Sequence, residues 1–587
     1  MGFRIRYVDG PSRISSLIHG EDRLPLPVII DPGETGNRVF SPKWNGRDVL
    51  IQRKEQRQTY FTPHAAELME KSGVHGMEGA VYYNQMVLLC DGEELDVEVV
   101  PLPRLFLSDK NRFSRLLSDY LDERPAHPPL YAPGAADSDN LELLHYLGFE
   151  IFDTVRARID AGNDIFYTGS GHLDMDSLDR SIKPWDICGC DFCSRMESGG
   201  PEVELIEGHN IGVMRSRLNE STHHLLSGDL RNHLMGKLAN KPEVASAIRT
   251  FESCGSRTET DNCRTWRKKG SSLVAYREDL RSPVYRLWER RIREEYGPLS
   301  YKDTLLLLPC SARKPYSRSR THSRIRSYLS GLKGWKDRIQ MMVLTSPLGA
   351  VPMELEDLYP AAYYDIPVTG TWYPEEVERT RLVTKSVFDK GEYEHVIDFH
   401  PDGAKFFPDP DSFFGDADYH PIYGDGERLR ETVSNIMETQ WSGCSGSSRT
   451  REVLNSIRFA QGGAPEYDPG MRILRRRGRT YLSRDRELLF ELALGGPKPT
   501  LSGGRMLWDR GMESGEVKRV IIDDFIPRGT VFTQGIIDVE GEIHPGDVVV
   551  VGTKEEYRGV GRSNLSGTLL TSGISGPGVK MISHRKE

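Results

Sequence analysis

Apolar residues fall in short blocks along this chain, and the sharpest block is Leu305-Leu306-Leu307-Leu308, held between Thr304 and Pro309. Four apolar residues in a row that stop at a proline describe a strand buried on both faces, as in a parallel sheet. Two later runs repeat the pattern. Met341-Met342-Val343-Leu344-Thr345 ends at Ser346-Pro347-Leu348-Gly349, and His395-Val396-Ile397-Asp398-Phe399 ends at His400. Upstream, Leu26-Pro27-Val28-Ile29-Ile30 before Asp31-Pro32-Gly33, and Met86-Val87-Leu88-Leu89 before Asp91-Gly92, predict strands. Leu141, Leu143, Leu144 and Leu147 have helical spacing that closes at Gly148, and Phe149-Glu150-Ile151-Phe152-Asp153 predicts the next strand.

This alternation predicts a multidomain protein of α/β and β class. Residues 1–215 read as an α/β domain in the form of a degenerate barrel. Residues 216–300, polar and rich in Ser, Arg and Glu, read as a helical connector, and 301–425 as a three-layer α/β core. Residues 426–515 read as accessory. Residues 516–587 carry short strands with turn signals, ending in the buried run Val548 to Val551, and predict a small β-barrel.

A length of 587 residues agrees with several domains, about three to five. No apolar run approaches the roughly 20 residues of a membrane helix, and no apolar segment follows the first Met, so a cytoplasmic protein with no membrane partner is expected. The eight cysteines (Cys90, Cys188, Cys190, Cys193, Cys254, Cys263, Cys310 and Cys444) are too few for a disulfide framework, and their clustering points to metal binding or catalysis. The net charge of −9 argues against a polyanion partner only superficially. Residues 264–338 hold 20 Lys/Arg against 7 Asp/Glu, and Arg472, Arg475, Arg476, Arg477, Arg479, Arg484 and Arg486 face a lone Asp485 in their stretch. Two basic blocks in an acidic chain favour a nucleic-acid contact over a merely solvated face.

Chemistry-bearing residues gather just past the leucine strand: Cys310, Ser311, Lys314, Tyr316, Ser317, Ser319 and His322. Open parallel sheets place ligand sites at this end of their strands, and Asp398 and His400 belong to the same rim. The segment 346–372, with Glu354, Glu356, Tyr359, Tyr363, Tyr364, Asp365, Thr369 and Trp372, is a second dense group, able to stack a base and hold an amine or simply to pack a loop. Cys188-Gly-Cys190-Asp-Phe-Cys193 offers three thiols within six residues, the soft donors of a structural zinc site.

The pattern Pro309-Cys310-x-x-x-Lys314-Pro315-Tyr316-x-x-Ser319-x-x-His322 resembles the signature of the archaeosine synthases, relatives of tRNA-guanine transglycosylase. The stretch Leu147 to Asp153, the Tyr167-Thr-Gly turn and the cysteines resemble the last part of a transglycosylase barrel. That resemblance implies His209 as the fourth zinc ligand, with His223 and His224 as alternatives. Ile457 to Gly463 and Gly503 to Leu507 resemble the C-terminal part of archaeal transglycosylases, and 516–587 resembles a PUA RNA-binding domain. The transglycosylases' Asp-Ser-Gly-Gly-Phe-Gln loop, Phe-Asp nucleophile segment and Gly-rich base-recognition loop are not found, so the N-terminal domain reads as a scaffold.

The family implies an archaeal enzyme of tRNA modification. It would add an amine across the nitrile of 7-cyano-7-deazaguanine (preQ0) in the D-loop of tRNA, giving an amidine. Free lysine is the implied donor, with glutamine or ammonia as the older assignment, and a radical-SAM partner would complete archaeosine. Two routes suit the residues. Cys310, its pKa lowered by Lys314 and His322, could attack the nitrile to form a thioimidate. Alternatively His322 or Asp398 could deprotonate the amine while Ser311 or Ser319 binds the nitrile nitrogen. A catalytically silent tRNA-binding scaffold and a transglycosylase with an unusual nucleophile are the competing functions, and a homo-oligomer is possible. No cofactor beyond zinc is motivated.

Overall fold

A computed structural model describes residues 2–19, 22–30, the short strands between 38 and 53, 85–90, 93–99, and 110–584 except 133, 180–181, 238–240, 267–272, 275–279, 367–369, 442 and 444–445. The turns expected at Asp31–Gly33 and Asp91-Gly92, together with Thr369 and Cys444, lie outside the described residues. The chain forms two compact units, one of residues 1–262 together with 532–534 and 568–577, and the other of the remaining residues from 263 on. Among the described residues, no helix is long and apolar enough to cross a membrane.

In the first unit the expected strands are present, at Val28–Ile30, Gln85–Cys90 and Phe149–Asp153. We label Leu130–Tyr131 β1, Phe149–Asp153 β2 and Ile165–Tyr167 β3. Strands Val28–Ile30, β2, β1 and Glu93–Val99 lie side by side and parallel, and antiparallel strands continue the sheet to seven. The predicted helix spans Leu141–Tyr146, and Gly148 follows its cap at φ +98°, where a Cβ would meet the Pro11 carbonyl oxygen at 2.9 Å.

Three helices then follow: α1 (Asp191–Gly199), α2 (Val203–Ser227) and α3 (Leu230–Lys237). The first half of the polar stretch 216–300 is helical, but it does not stand apart as a linker. Leu218, Leu225, Leu230, Leu234 and Phe251 are buried in one cluster with Leu141, Leu144 and Phe152, so these helices complete the first unit's core.

The second unit is built on β4 (Thr304–Pro309), flanked by α4 (Pro283–Glu294) and α5 (Arg320–Tyr328). It continues through β5 (Ile339–Thr345), β6 (Gly349–Pro352), α6 (Pro374–Lys390), β7 (His395–Asp398), β8 (Asp418–Pro421) and α7 (Gly426–Glu438). The sheet order is β6-β5-β4-β7-β8, with β4 parallel to both β5 and β7 and β6 antiparallel at the edge.

Leu305 to Leu308 are at most 1% exposed. Successive strand side chains point to opposite faces, so both faces of β4 are covered, each leucine contributing about 2 kcal/mol. The buried Arg338 pairs with Asp303, just before β4, and donates to the Ile436 carbonyl at the end of α7, 2.6 Å away. This fixes the strand's entry to a covering helix.

Beyond α7 lie a four-stranded antiparallel sheet, β9 (Met471–Arg476), β10 (Arg479–Arg484), β11 (Glu487–Ala493) and β12 (Gly496–Pro499), and then α8 (Leu501–Ser514). A six-stranded curled sheet closes the chain, with Val548–Gly552 at its buried centre.

Candidate functional site

Register places the chemistry. Pro309 at the end of β4 stands opposite Leu344, so Cys310 comes beside Thr345 at the carboxyl end of β5. The Thr345 hydroxyl donates to the Ser346 carbonyl at 3.3 Å and contacts the Tyr364 hydroxyl, and it lies near enough to the Cys310 thiol to favour its charged form. Tyr364 in turn meets the Tyr316 hydroxyl at 2.6 Å. Three hydroxyls thus form one chain at the strand ends, beside the thiol. The Lys314 ammonium lies 4.0 Å from the centre of the Tyr364 ring, a cation–π contact, and feels the charges of Asp365 and Cys310.

Burial raises the Cys310 pKa, and the Lys314 charge and the Thr345 hydrogen bond offset that only in part. Burial likewise lowers the Lys314 pKa, against the pull of Asp365. The expectation that Lys314 and His322 together would depress the thiol pKa is therefore corrected. His322 is desolvated, its own pKa pushed down to about 4, so it is a neutral ring near pH 7. Its Nε2 donates to the Pro309 carbonyl at 2.9 Å, which holds the backbone just before Cys310.

Several expected site residues hold the loop. Ser319 caps α5 by accepting the His322 amide at 3.1 Å, and Ser311 donates to the Arg313 carbonyl at 2.9 Å. Asp398 is fully buried at the end of β7, where it accepts the Tyr419 hydroxyl at 2.6 Å and the His400 amide at 3.0 Å. Burial raises its pKa to about 6. Gly403 packs so close that a Cβ there would fall 1.9 Å from the carboxylate. Asp398 and His400 therefore sit behind the rim as turn supports.

From the segment 346–372, Tyr364 and Asp365 join the cluster, and Glu356 accepts the Ser317 amide at 2.8 Å. Glu354 instead binds Tyr296 at 2.6 Å, and Trp372 packs edge-on against Phe406. Thr345 had not been singled out. Its one signal was a hydroxyl closing an otherwise apolar run.

In the first unit, Cys188, Cys190, Cys193 and His209 bring one donor atom each within 4.8 Å of one another. Cys190 caps α1 and Cys193 lies in its first turn, while His209 comes from α2. His209 Nδ1 is 3.2 Å from the Cys193 sulfur, and its Nε2 donates to the Tyr167 carbonyl at 2.7 Å. That bond leaves Nδ1 as the free lone pair, as a metal-ligating imidazole requires. Asn210 clamps the same strand, accepting the Tyr167 amide and donating to the Ile165 carbonyl, 2.9 Å each. Three thiols and an imidazole at this spacing can hold a metal ion, which fits the tetrahedral Cys3His donor set. His223 and His224 are not part of it.

On β9 and β10 the arginines form an exposed hairpin tip, turned at Arg477 and Gly478, both at positive φ. Arg479 pairs with Glu491 at 3.2 Å, whereas among the described residues no carboxylate pairs with Arg475, Arg476 or Arg477.

Residues 285–409, which hold the Cys310 cluster, match a family model described as a domain of unknown function (DUF5591), and residues 517–584 match that of the PUA domain. The chain is 30% identical over 501 residues to archaeosine synthase subunit alpha of Methanosarcina acetivorans, covering 82% of this chain and 78% of that protein. It is 27% identical over 498 residues to archaeosine synthase of Haloferax volcanii, covering 82% and 81% respectively. A more distant likeness, 22% over 342 residues, is to the tRNA-guanine(15) transglycosylase of Methanobrevibacter smithii, covering 56% of this chain and 50% of that one. The similarity to the synthases takes in both the Cys3His unit and the Cys310 core, and on that extent the chain belongs to the archaeosine synthase family.

Proposed function

We propose that the protein is a tRNA-modifying transferase of archaeosine biosynthesis that adds an amine to the nitrile of 7-cyano-7-deazaguanine in tRNA, with free lysine as donor and the Cys310 cluster as the reacting site. The observation that carries this reading is the Cys310 thiol set beside the Thr345–Tyr364–Tyr316 hydroxyl chain and Lys314, at the carboxyl ends of parallel strands. In the proposed step the Cys310 sulfur bonds to the nitrile carbon and the thiol proton passes to nitrogen, giving a thioimidate. The amine attacks the same carbon, the carbon–sulfur bond breaks, and the amine's proton returns to sulfur, leaving an amidine. Thr345 orients the thiol, and Lys314 stabilises negative charge as it develops on sulfur.

The raised thiol pKa supports a second reading, direct attack by the amine with Cys310 lining the site. The Cys3His group supports zinc as a structural ion, and the PUA domain and the exposed arginine hairpin support tRNA as the partner. Reaction of the nitrile-bearing tRNA with lysine, glutamine or ammonia, followed by nucleoside mass analysis, tests the donor. A product heavier by a whole lysine is expected, and an unsubstituted amidine formed from glutamine or ammonia would assign the donor otherwise.

Three further outcomes are expected. Because burial holds the Cys310 thiol up, the single-turnover rate should climb with pH and not level off below about 8.5, the ordinary thiol value. A rate flat from pH 7 to 9 would count against thiolate attack. Tyr364→Phe breaks the hydroxyl chain and should lower kcat by about 10- to 100-fold with KM little changed. An equal loss in KM alone would make Tyr364 a binding residue. Replacing Arg475, Arg476 and Arg477 by alanine should flatten the salt dependence of tRNA binding by about two to three logarithmic units per decade. An unchanged slope in a filter-binding titration would remove the hairpin from the RNA interface.

A further inference from the structure

We propose that Glu220, His224 and His233 form a second metal-binding site in the first unit, one that takes a divalent transition-metal ion of borderline softness such as zinc, cobalt or nickel. Glu220 and His224 are four apart on α2 and so share a helix face. The chain reverses at Gly228, at φ +73°, and α3 returns His233 with its ring stacked on that of His224, 3.9 Å between centroids and 21° from parallel. One donor atom from each of the three residues lies within 4.8 Å of the others. Imidazole and carboxylate together are the donors such ions prefer.

Two independent features point to a ligand. The Asp229 carboxylate lies 3.1 Å from His224 Nδ1, so it accepts that proton and leaves Nε2 open, the carboxylate–histidine pairing that orients metal ligands. A cation position is also already marked. The Lys237 ammonium sits 2.8 Å from Glu142 and 3.6 Å from Glu220, and His233 Nε2 is 2.9 Å from the same Glu142 oxygen. Arg217, 3.3 Å from Glu142, balances that carboxylate from the other side. Lys237 then acts as the competitor that an incoming ion displaces from Glu220.

The site lies 15 residues along α2 from His209, about 22 Å at the helical rise, so it is independent of the Cys3His group. Its effect is to staple the end of α2 to α3, apart from the Cys310 chemistry. The test uses untagged full-length protein, stripped with chelator and titrated with zinc and then cobalt, with bound metal counted per chain. Wild type should bind one equivalent more than the His224→Gln/His233→Gln double variant. The variant should keep the thiolate-to-cobalt charge-transfer band of the Cys3His site, which reports that the unit is folded. Lys237→Met should tighten only the second equivalent, by about tenfold. Equal stoichiometry in wild type and double variant overturns the proposal. If the double variant loses both ions, Lys237→Met decides: a titration identical to wild type overturns it, and a tighter second equivalent upholds it.

Discussion

Replacing Cys310 by alanine should abolish lysine addition to nitrile-bearing tRNA, by on the order of a thousandfold or more, while leaving tRNA affinity unchanged. The size of the effect follows from the geometry. Cys310 offers the thiol at which the two strand ends and the hydroxyl chain meet, and Ser311, Ser319, His322 and Asp398 are engaged with backbone groups or buried partners. None of these four stands ready to take over as nucleophile. Cys310→Ser should be nearly as inactive, because an alkoxide is far harder to form than a thiolate. Residual activity within about tenfold of wild type in both variants, measured in single turnover, would favour direct amine attack.

Cys193→Ala should abolish metal binding by the Cys3His group and lower the first unit's melting temperature by about 10 °C or more. Structural zinc sites supply folding free energy outright, and losing several kcal/mol moves the melting point of a unit this size by several degrees per couple of kcal/mol. Cys193 is fully buried in a small cluster with Phe166, Trp185 and Met196, so its loss also removes packing. His209→Ala should match it, since the same ring holds the Tyr167 carbonyl and stacks on Phe166 at 3.9 Å. Cys254→Ala is the control. That thiol donates only to the Thr250 carbonyl within its own helix, and the change should stay within about 0.5 kcal/mol. Metal analysis with differential scanning calorimetry separates the cases, and a Cys193 variant that keeps the thiolate-to-cobalt charge-transfer band and its melting point would show that the ligands lie elsewhere.

These two sites were legible in the sequence to different degrees, for a physical reason. Cys188, Cys190 and Cys193 are close in sequence, so local spacing alone brings them together, and resemblance added His209 across one helix. The leucines of β4 announced burial on both faces because no polar residue interrupts them. The Cys310 cluster depends on register between strands 35 residues apart and on the two-residue strand Tyr364–Asp365, and no periodicity encodes either. Thr345 was therefore missed as a partner. A strand-end aspartate reads the same whether it faces a cleft or packs behind one, and for Asp398 the answer lay in Tyr419 and Gly403. The polar stretch from 216 read as a connector because long helices with one buried stripe are polar on average. Its apolar residues complete the first unit's core.

The thiol's environment also reverses a simple charge argument. Lys314 is near enough to favour the thiolate, yet burial outweighs it, and His322 contributes no positive charge because its own ring is desolvated. Activation must then come when substrate arrives. A nitrile needs a proton as well as a nucleophile, and the thiol can supply both once its proton is handed on. The deprotonated sulfur is the attacking form, so alkaline pH should accelerate the step.

The most direct measurement is to mix the protein with nitrile-bearing tRNA in the absence of any amine, quench, digest, and search the peptides by mass spectrometry. The deazaguanine should be found attached through sulfur to the peptide containing Cys310, and should disappear from it when lysine is added. No modified Cys310 peptide, together with lysine adduct still formed by Cys310→Ala, would contradict covalent attack by Cys310.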